Sequence, residues 1–187
     1  MTTREQHLTE HMLESESVFD GKLLRVRRDL VRLPDGRDAV REHIEHPGAV
    51  MMIPVLDNGE LVMECQFRYP LRRVFLEFPA GKLDAGEKPL ATAKRELLEE
   101  TGYVARHWTR LGCIHPVISY SNEQIDVYLA RGLELRKRAL DHGEFIDIVQ
   151  MPLAAAIDMV RTGEITDAKT VSGLFWAERV LGGAWSD

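Results

Sequence analysis

The first half of this 187-residue chain is a series of short apolar runs broken by turn residues. SVFDGKLLRVRRDLVRL predicts a short strand, a turn at Asp20-Gly21 and a longer strand. Pro34-Asp35-Gly36 is a second turn, followed by the strand AVREHIEH. Ala49 to Tyr69 predicts a hairpin, AVMMIPVL and ELVMECQFR about the turn Asp57-Asn58-Gly59. The period then changes. Leu90, Ala93, Leu97 and Thr101 recur at helical spacing. Pro89 suits a first helical position, where its missing N–H has no partner to lose, and Gly102 suits a left-handed stop. A helix over Pro89 to Thr101 is expected, entered through a loop rich in turn residues (Gly81, Asp84, Gly86). Strands follow near Arg110–Ile114, Ile125–Ala130 and Phe145–Gln150, with helices over Pro152–Thr162 and about Ala168–Leu181. This order predicts a mixed α/β domain, a sheet covered by helices.

Chemistry enters on the first helix. Glu96, Glu99 and Glu100 stand three and four residues apart, which makes them neighbours on one side of a helix. Like charges so placed repel by a few tenths of a kcal/mol per exposed pair. They also sit toward the helix C-terminus, where the dipole disfavours anions. A divalent cation relieves that conflict, and carboxylate oxygens with several retained waters are what Mg²⁺ prefers. The plain alternative for a Glu-rich helix is a solvated acidic face, and for Arg95 an ordinary surface ion pair.

The spacing around these residues is more specific. Gly81, Glu87, Arg95-Glu96-Leu97, Glu99, Glu100, Gly102 and Tyr103 follow the pattern G-x5-E-x7-R-E-U-x-E-E-x-G-U, where U is aliphatic or aromatic. Seven positions are fixed types, each with a background of about one in fifteen, so a chance match is roughly a one-in-a-million event. The run resembles the Nudix box. The resemblance implies a metal-dependent pyrophosphohydrolase with an α/β/α sandwich around a mixed β-sheet. Residues 1–45 are expected to form an additional small β-subdomain for dimerisation and substrate contacts, and 46–187 the hydrolase domain.

Composition sets bounds. With 44% hydrophobic and 29% charged residues, the chain is a normal globular mixture. A net charge of −6 argues against non-specific nucleic-acid binding, though not against a small phosphate-bearing ligand. No window approaches a membrane span, and the polar start MTTREQH does not resemble a signal peptide. Cys65 and Cys113 lack CxxC spacing, so reduced thiols in the cytoplasm are expected, without a zinc site or disulfide framework.

Four segments outside the box resemble the ADP-ribose pyrophosphatase subfamily: VREHIEHPGAV, ECQFRYP with LEFPAGKLDAGE, HPVISYSNE, and GEFIDIVQMPLAAAIDMVRTGEITDAKT. The third departs from a loop usually like SPGFSNE, since Val117-Ile118-Ser119-Tyr120 replaces Ser-Pro-Gly-Phe. Carried over by position, the resemblance implies metal ligation by Glu96, Glu100, Glu99 and the backbone carbonyl of Ala80. Mg²⁺ is the implied ion, with Mn²⁺ a substitute. Arg95 orients the glutamates, and Glu87, Arg95 and Glu99 join Glu144 as the catalytic set. Glu144 stands in the loop that supplies a base in relatives, with Asp141 as competitor. Arg41 and Arg68 match arginines that hold phosphates or the terminal ribose; Glu42 is placed to contact adenine, and Glu123 completes the substrate set. Tyr120 and Phe19 are candidates to stack on the base or to be core residues. Arg68 also reads as a plain surface residue, and His115 and His142 as ordinary loop histidines. A homodimer with Arg41 acting in trans is implied. Other readings are a hydrolase of GDP-mannose, ADP-glucose or a dinucleotide, a nucleoside triphosphatase releasing pyrophosphate, and a non-catalytic nucleotide sensor.

Overall fold

The computed structural model describes residues 5–140 and 143–185. The chain divides into two compact units, residues 1–46 with 117–123, and residues 47–116 with 124–187.

The first unit is an antiparallel three-stranded sheet in the order β1 (His11–Asp20), β2 (Arg25–Arg32), β3 (Asp38–Glu45). β1 is longer than the short strand expected and is exposed along its whole length. Segment 117–123 joins this unit by backbone: Ile44 N–H donates to the Tyr120 carbonyl at 2.8 Å, and His46 N–H donates to the Asn122 side chain at 2.7 Å.

The second unit is built on a mixed sheet ordered β10-β5-β4-β9-β8. Its strands are β4 (Ala49–Val55), β5 (Glu60–Arg68), β8 (Tyr103–Ile114), β9 (Ile125–Leu135) and β10 (Ile146–Pro152). Only the β4–β9 pairing within it is parallel, running from Ala49↔Ile125 to Val55↔Arg131. Every residue of β4 is buried, as a central strand covered on both faces must be. Ala49, Met51, Ile53 and Val55 enter one core with α2 (Leu153–Thr162) and α3 (Ala168–Leu181). Val50 and Met52 enter the other, against Ala93 and Leu97. The alternation of one strand thus feeds two layers of helix, giving the expected sandwich.

The expected hairpin is only a root. β4 and β5 pair at Val55↔Leu61 alone. Beyond that point the two strands take different partners. β6 (Arg73–Glu77) pairs with β5, and β7 (Ala80–Lys82) pairs with β4. The segment Glu77–Ala80 therefore bridges the two halves of the split sheet, with the Pro79 carbonyl accepting from Met52 N–H at 2.9 Å.

The box helix, α1 (Pro89–Glu96), begins at its proline and continues as a single π turn over Leu97–Thr101. Gly102, at φ 78°, ends it by donating its N–H to the Leu98 carbonyl. Ala93, Leu97 and Thr101 face the core as expected; Leu90, in the first turn, is exposed instead. Among the described residues no helix is long and apolar enough to cross a membrane.

Candidate active site

Arg95 organises the acidic residues of the box. Its Nε and Nη2 donate to the two oxygens of Glu87 at 3.2 and 3.0 Å. Its Nη1 donates to Glu96 and to Glu99, both at 2.9 Å. One planar guanidinium thus ties the loop carboxylate Glu87 to two carboxylates of the helix, which Lys could not do with a single point charge. The hydrogen bonds from Arg95 hold the Glu87 carboxyl down at about 2. The same bonds, Glu87 first, push the guanidinium further up against the effect of burial.

Glu100 behaves differently. The helix pattern places it beside Glu96 and Glu99, but its side chain is buried and turned to β7, where Oε2 accepts from Ala80 N–H at 3.1 Å. Burial raises its carboxyl to about 10, helped by the charges of Glu64, Glu96 and Glu144. Glu96 is also raised, by burial first and against the pull of Arg95. Glu144 acts on both of these carboxyls, which puts the loop acid within electrostatic reach of the box. Its competitor Asp141, and His142, lie outside the described residues. His115 is exposed.

Gly81 shows how tightly β7 packs on the box helix. A Cβ there would stand 2.0 Å from Cδ of Glu96, so any side chain displaces that carboxylate. The first box glycine serves close approach rather than a turn.

Two buried acids escaped sequence reading, Glu64 and Glu77. They face each other across β5 and β6. Arg68 donates to both oxygens of Glu77 at 2.7 Å, and Lys169 donates to Glu77 as well. Arg68 therefore spends two nitrogens inside the protein; its Nη1 has no hydrogen-bond partner among the described residues. The available signal was an acid within an apolar run, in LVMECQF and VFLEFP.

The remaining candidates belong to the first unit. Arg41 donates to both oxygens of Glu10, at 2.9 and 2.5 Å. Glu42 accepts from Arg28 at 3.0 and 2.9 Å. Glu123 stands 3.8 Å from His46 Nε2. Tyr120 and Phe19 are about half exposed, so neither is a core residue.

Among the described residues, no three Asp, Glu, His or Cys side chains form a ready-made metal cage. Mg²⁺ does not need one, since it takes one or two carboxylates and keeps waters or phosphate oxygens for the rest. The donor chemistry fits a hard divalent ion. Glu96 and Glu100 are pressed into low dielectric with their charge only partly compensated, and neither oxygen of buried Glu64 has a hydrogen-bond partner among the described residues.

Known proteins resemble the chain along most of its length. Residues 45–173 match the NUDIX domain, and residues 10–44 match the nucleoside diphosphate sugar hydrolase N-terminal domain. An ADP-ribose pyrophosphatase of Bacillus subtilis is 41% identical over 165 residues, covering 87% of this chain and 89% of the relative. An ADP-ribose pyrophosphatase of Mycobacterium tuberculosis is 38% identical, covering 94% and 88%. The crystal structure of an ADP compounds hydrolase superposes with a TM-score of 0.85 at 27% identity, covering 94% of this chain and 95% of that one. With the full box in place on a matching fold, the chain belongs to the Nudix family of hydrolases.

Proposed function

We propose that this protein hydrolyses the diphosphate linkage of ADP-ribose to AMP and ribose 5-phosphate, using Mg²⁺, with Mn²⁺ as a substitute. The observation that carries the reading is the gathering of Glu87, Glu96 and Glu99 on Arg95, with Glu100 against Ala80, in a chain matched nearly end to end by ADP-ribose pyrophosphatases.

A diphosphate resists hydrolysis because its oxygens repel an incoming nucleophile. A bound divalent cation supplies charge neutralisation of those oxygens and acidifies water. Glu96, Glu100 and the Ala80 carbonyl are the groups to hold it, with Glu99 beside them. Arg95 keeps Glu96 and Glu99 fixed, so the site is preorganised before substrate arrives. Glu144 is the candidate to position the attacking water and take its proton. Water oxygen bonds to one phosphorus as the bridging P–O bond breaks, and the bridging oxygen leaves on the other phosphate. Arg68 Nη1 and Arg41 are the candidate donors to phosphate or terminal ribose, with Glu42, Tyr120 and Glu123 on the adenosine side.

A homodimer in which Arg41 serves the partner's site is part of this reading. Met12, Leu13, Val18, Phe19, Leu23 and Leu24 are exposed on and beside its sheet, an apolar area that a second copy would cover. Cys65 and Cys113 are free thiols, and a cytoplasmic location is part of this reading.

A Mg²⁺-dependent panel of ADP-ribose, ADP-glucose, GDP-mannose, NADH, diadenosine polyphosphates and 8-oxo-dGTP, with products separated by chromatography, tests the substrate. AMP released fastest from ADP-ribose is expected. Faster turnover of another diphosphate keeps the site chemistry and overturns the substrate.

A further inference from the structure

We propose that Glu64 is an additional carboxylate of the cation site, joining Glu100 from the opposite side of the bridging segment Glu77–Ala80. The inference rests on the metal-binding reading of the box and adds a residue the box does not contain.

Glu64 is fully buried on β5, and neither of its oxygens has a hydrogen-bond partner among the described residues. An unpaired buried carboxylate is costly, so such a group is kept neutral or is matched by a cation. Two of the nearby protein cations are already committed. Arg68 and Lys169 both bond to Glu77, and Lys169 also bonds to Asp167 at 2.8 Å. Arg138 bonds through Nη2 to the Ile146 carbonyl at 2.7 Å, and its buried Nε has no hydrogen-bond partner among the described residues, so it acts on Glu64 only through space.

The topology brings Glu64 to the box. It pairs across the sheet with Glu77, at one end of the bridging segment. Glu100 is bonded to Ala80 N–H at the other end. Two buried carboxylates placed at the two ends of one bridging segment, one with its oxygens unsatisfied, form an arrangement that a divalent cation completes directly or through a retained water. A purely structural Glu would instead be expected to hold a hydrogen bond.

The test is Mn²⁺ binding, followed by the electron paramagnetic resonance signal of free Mn²⁺, in wild type, Glu64→Gln, Glu64→Leu and Glu100→Gln. The account expects both Glu64 variants to fold with unchanged or raised thermal stability in chelator, because a buried unpaired acid has been removed. It expects their Mn²⁺ affinity to fall by about tenfold or more. Wild-type affinity in either folded Glu64 variant overturns the inference. If Glu100→Gln alone loses Mn²⁺, the reaction proposed above survives without Glu64. If all three variants keep it, the metal reading of the box falls as well.

Discussion

At the scale of single residues, the site is made by close contacts around Glu96 and Arg95. Gly81 is the sharpest case. Because the group it would strike is the end of a flexible side chain, Gly81→Ala should fold with nearly unchanged stability while pushing Glu96 from its place. The expected outcome is a loss of about tenfold or more in turnover with a melting temperature within a few degrees of wild type, measured on the same preparation. Unchanged turnover would mean that Glu96 need not sit where the structure puts it. The box residues were legible in the sequence because their spacing is rigid, and helix geometry turns spacing into proximity. Glu64 and Glu77 were not. Their meaning depends on the β5–β6 register and on Lys169, which lies 92 residues from Glu77 along the chain.

At the scale of elements, helices and turns followed from local signals, whereas strand partners did not. Pro89, Gly102 and the apolar spacing between them set the bounds of the box helix, but nothing local foretold that its last turn is π. The hairpin expected at Asp57-Asn58-Gly59 keeps its turn and loses most of its pairing, because β7 and β6 take the facing edges of β4 and β5. The N-terminus of α3 pins this split. Asp167 caps the helix by accepting from Thr170 N–H at 3.0 Å, and Thr170 Oγ1 accepts from Phe78 N–H at 3.1 Å. Asp167 also bonds to Thr170 Oγ1 and to Lys169. Asp167→Ala should therefore lower stability by about 1–2 kcal/mol in urea denaturation. A change below a few tenths would show that the cap is dispensable.

At the scale of the whole molecule, buried acids make stability depend on pH in an unusual direction. In the folded, metal-free protein Glu64 is raised to about 8 and Glu100 to about 10, mainly by burial, from an ordinary 4.5. Between these limits the folded state binds more protons than the unfolded chain. The stability they contribute is full below the unfolded value and is lost as pH rises toward the folded values. Chelator-treated protein should have a higher urea midpoint at about pH 5.5 than at about pH 8. Added Mn²⁺ should raise the midpoint more at the higher pH, where fewer protons compete. Light scattering should give a dimer mass; a monodisperse monomer with full activity would remove the proposed role of Arg41 in the partner's site.

The most direct test of the central claim is the rate of AMP release from ADP-ribose with Mg²⁺, for wild type and for Glu100→Gln. Wild type should release AMP rapidly and in a chelator-sensitive way, and the folded variant should lose at least about a hundredfold. A Glu100→Gln protein working at near wild-type rate would contradict it.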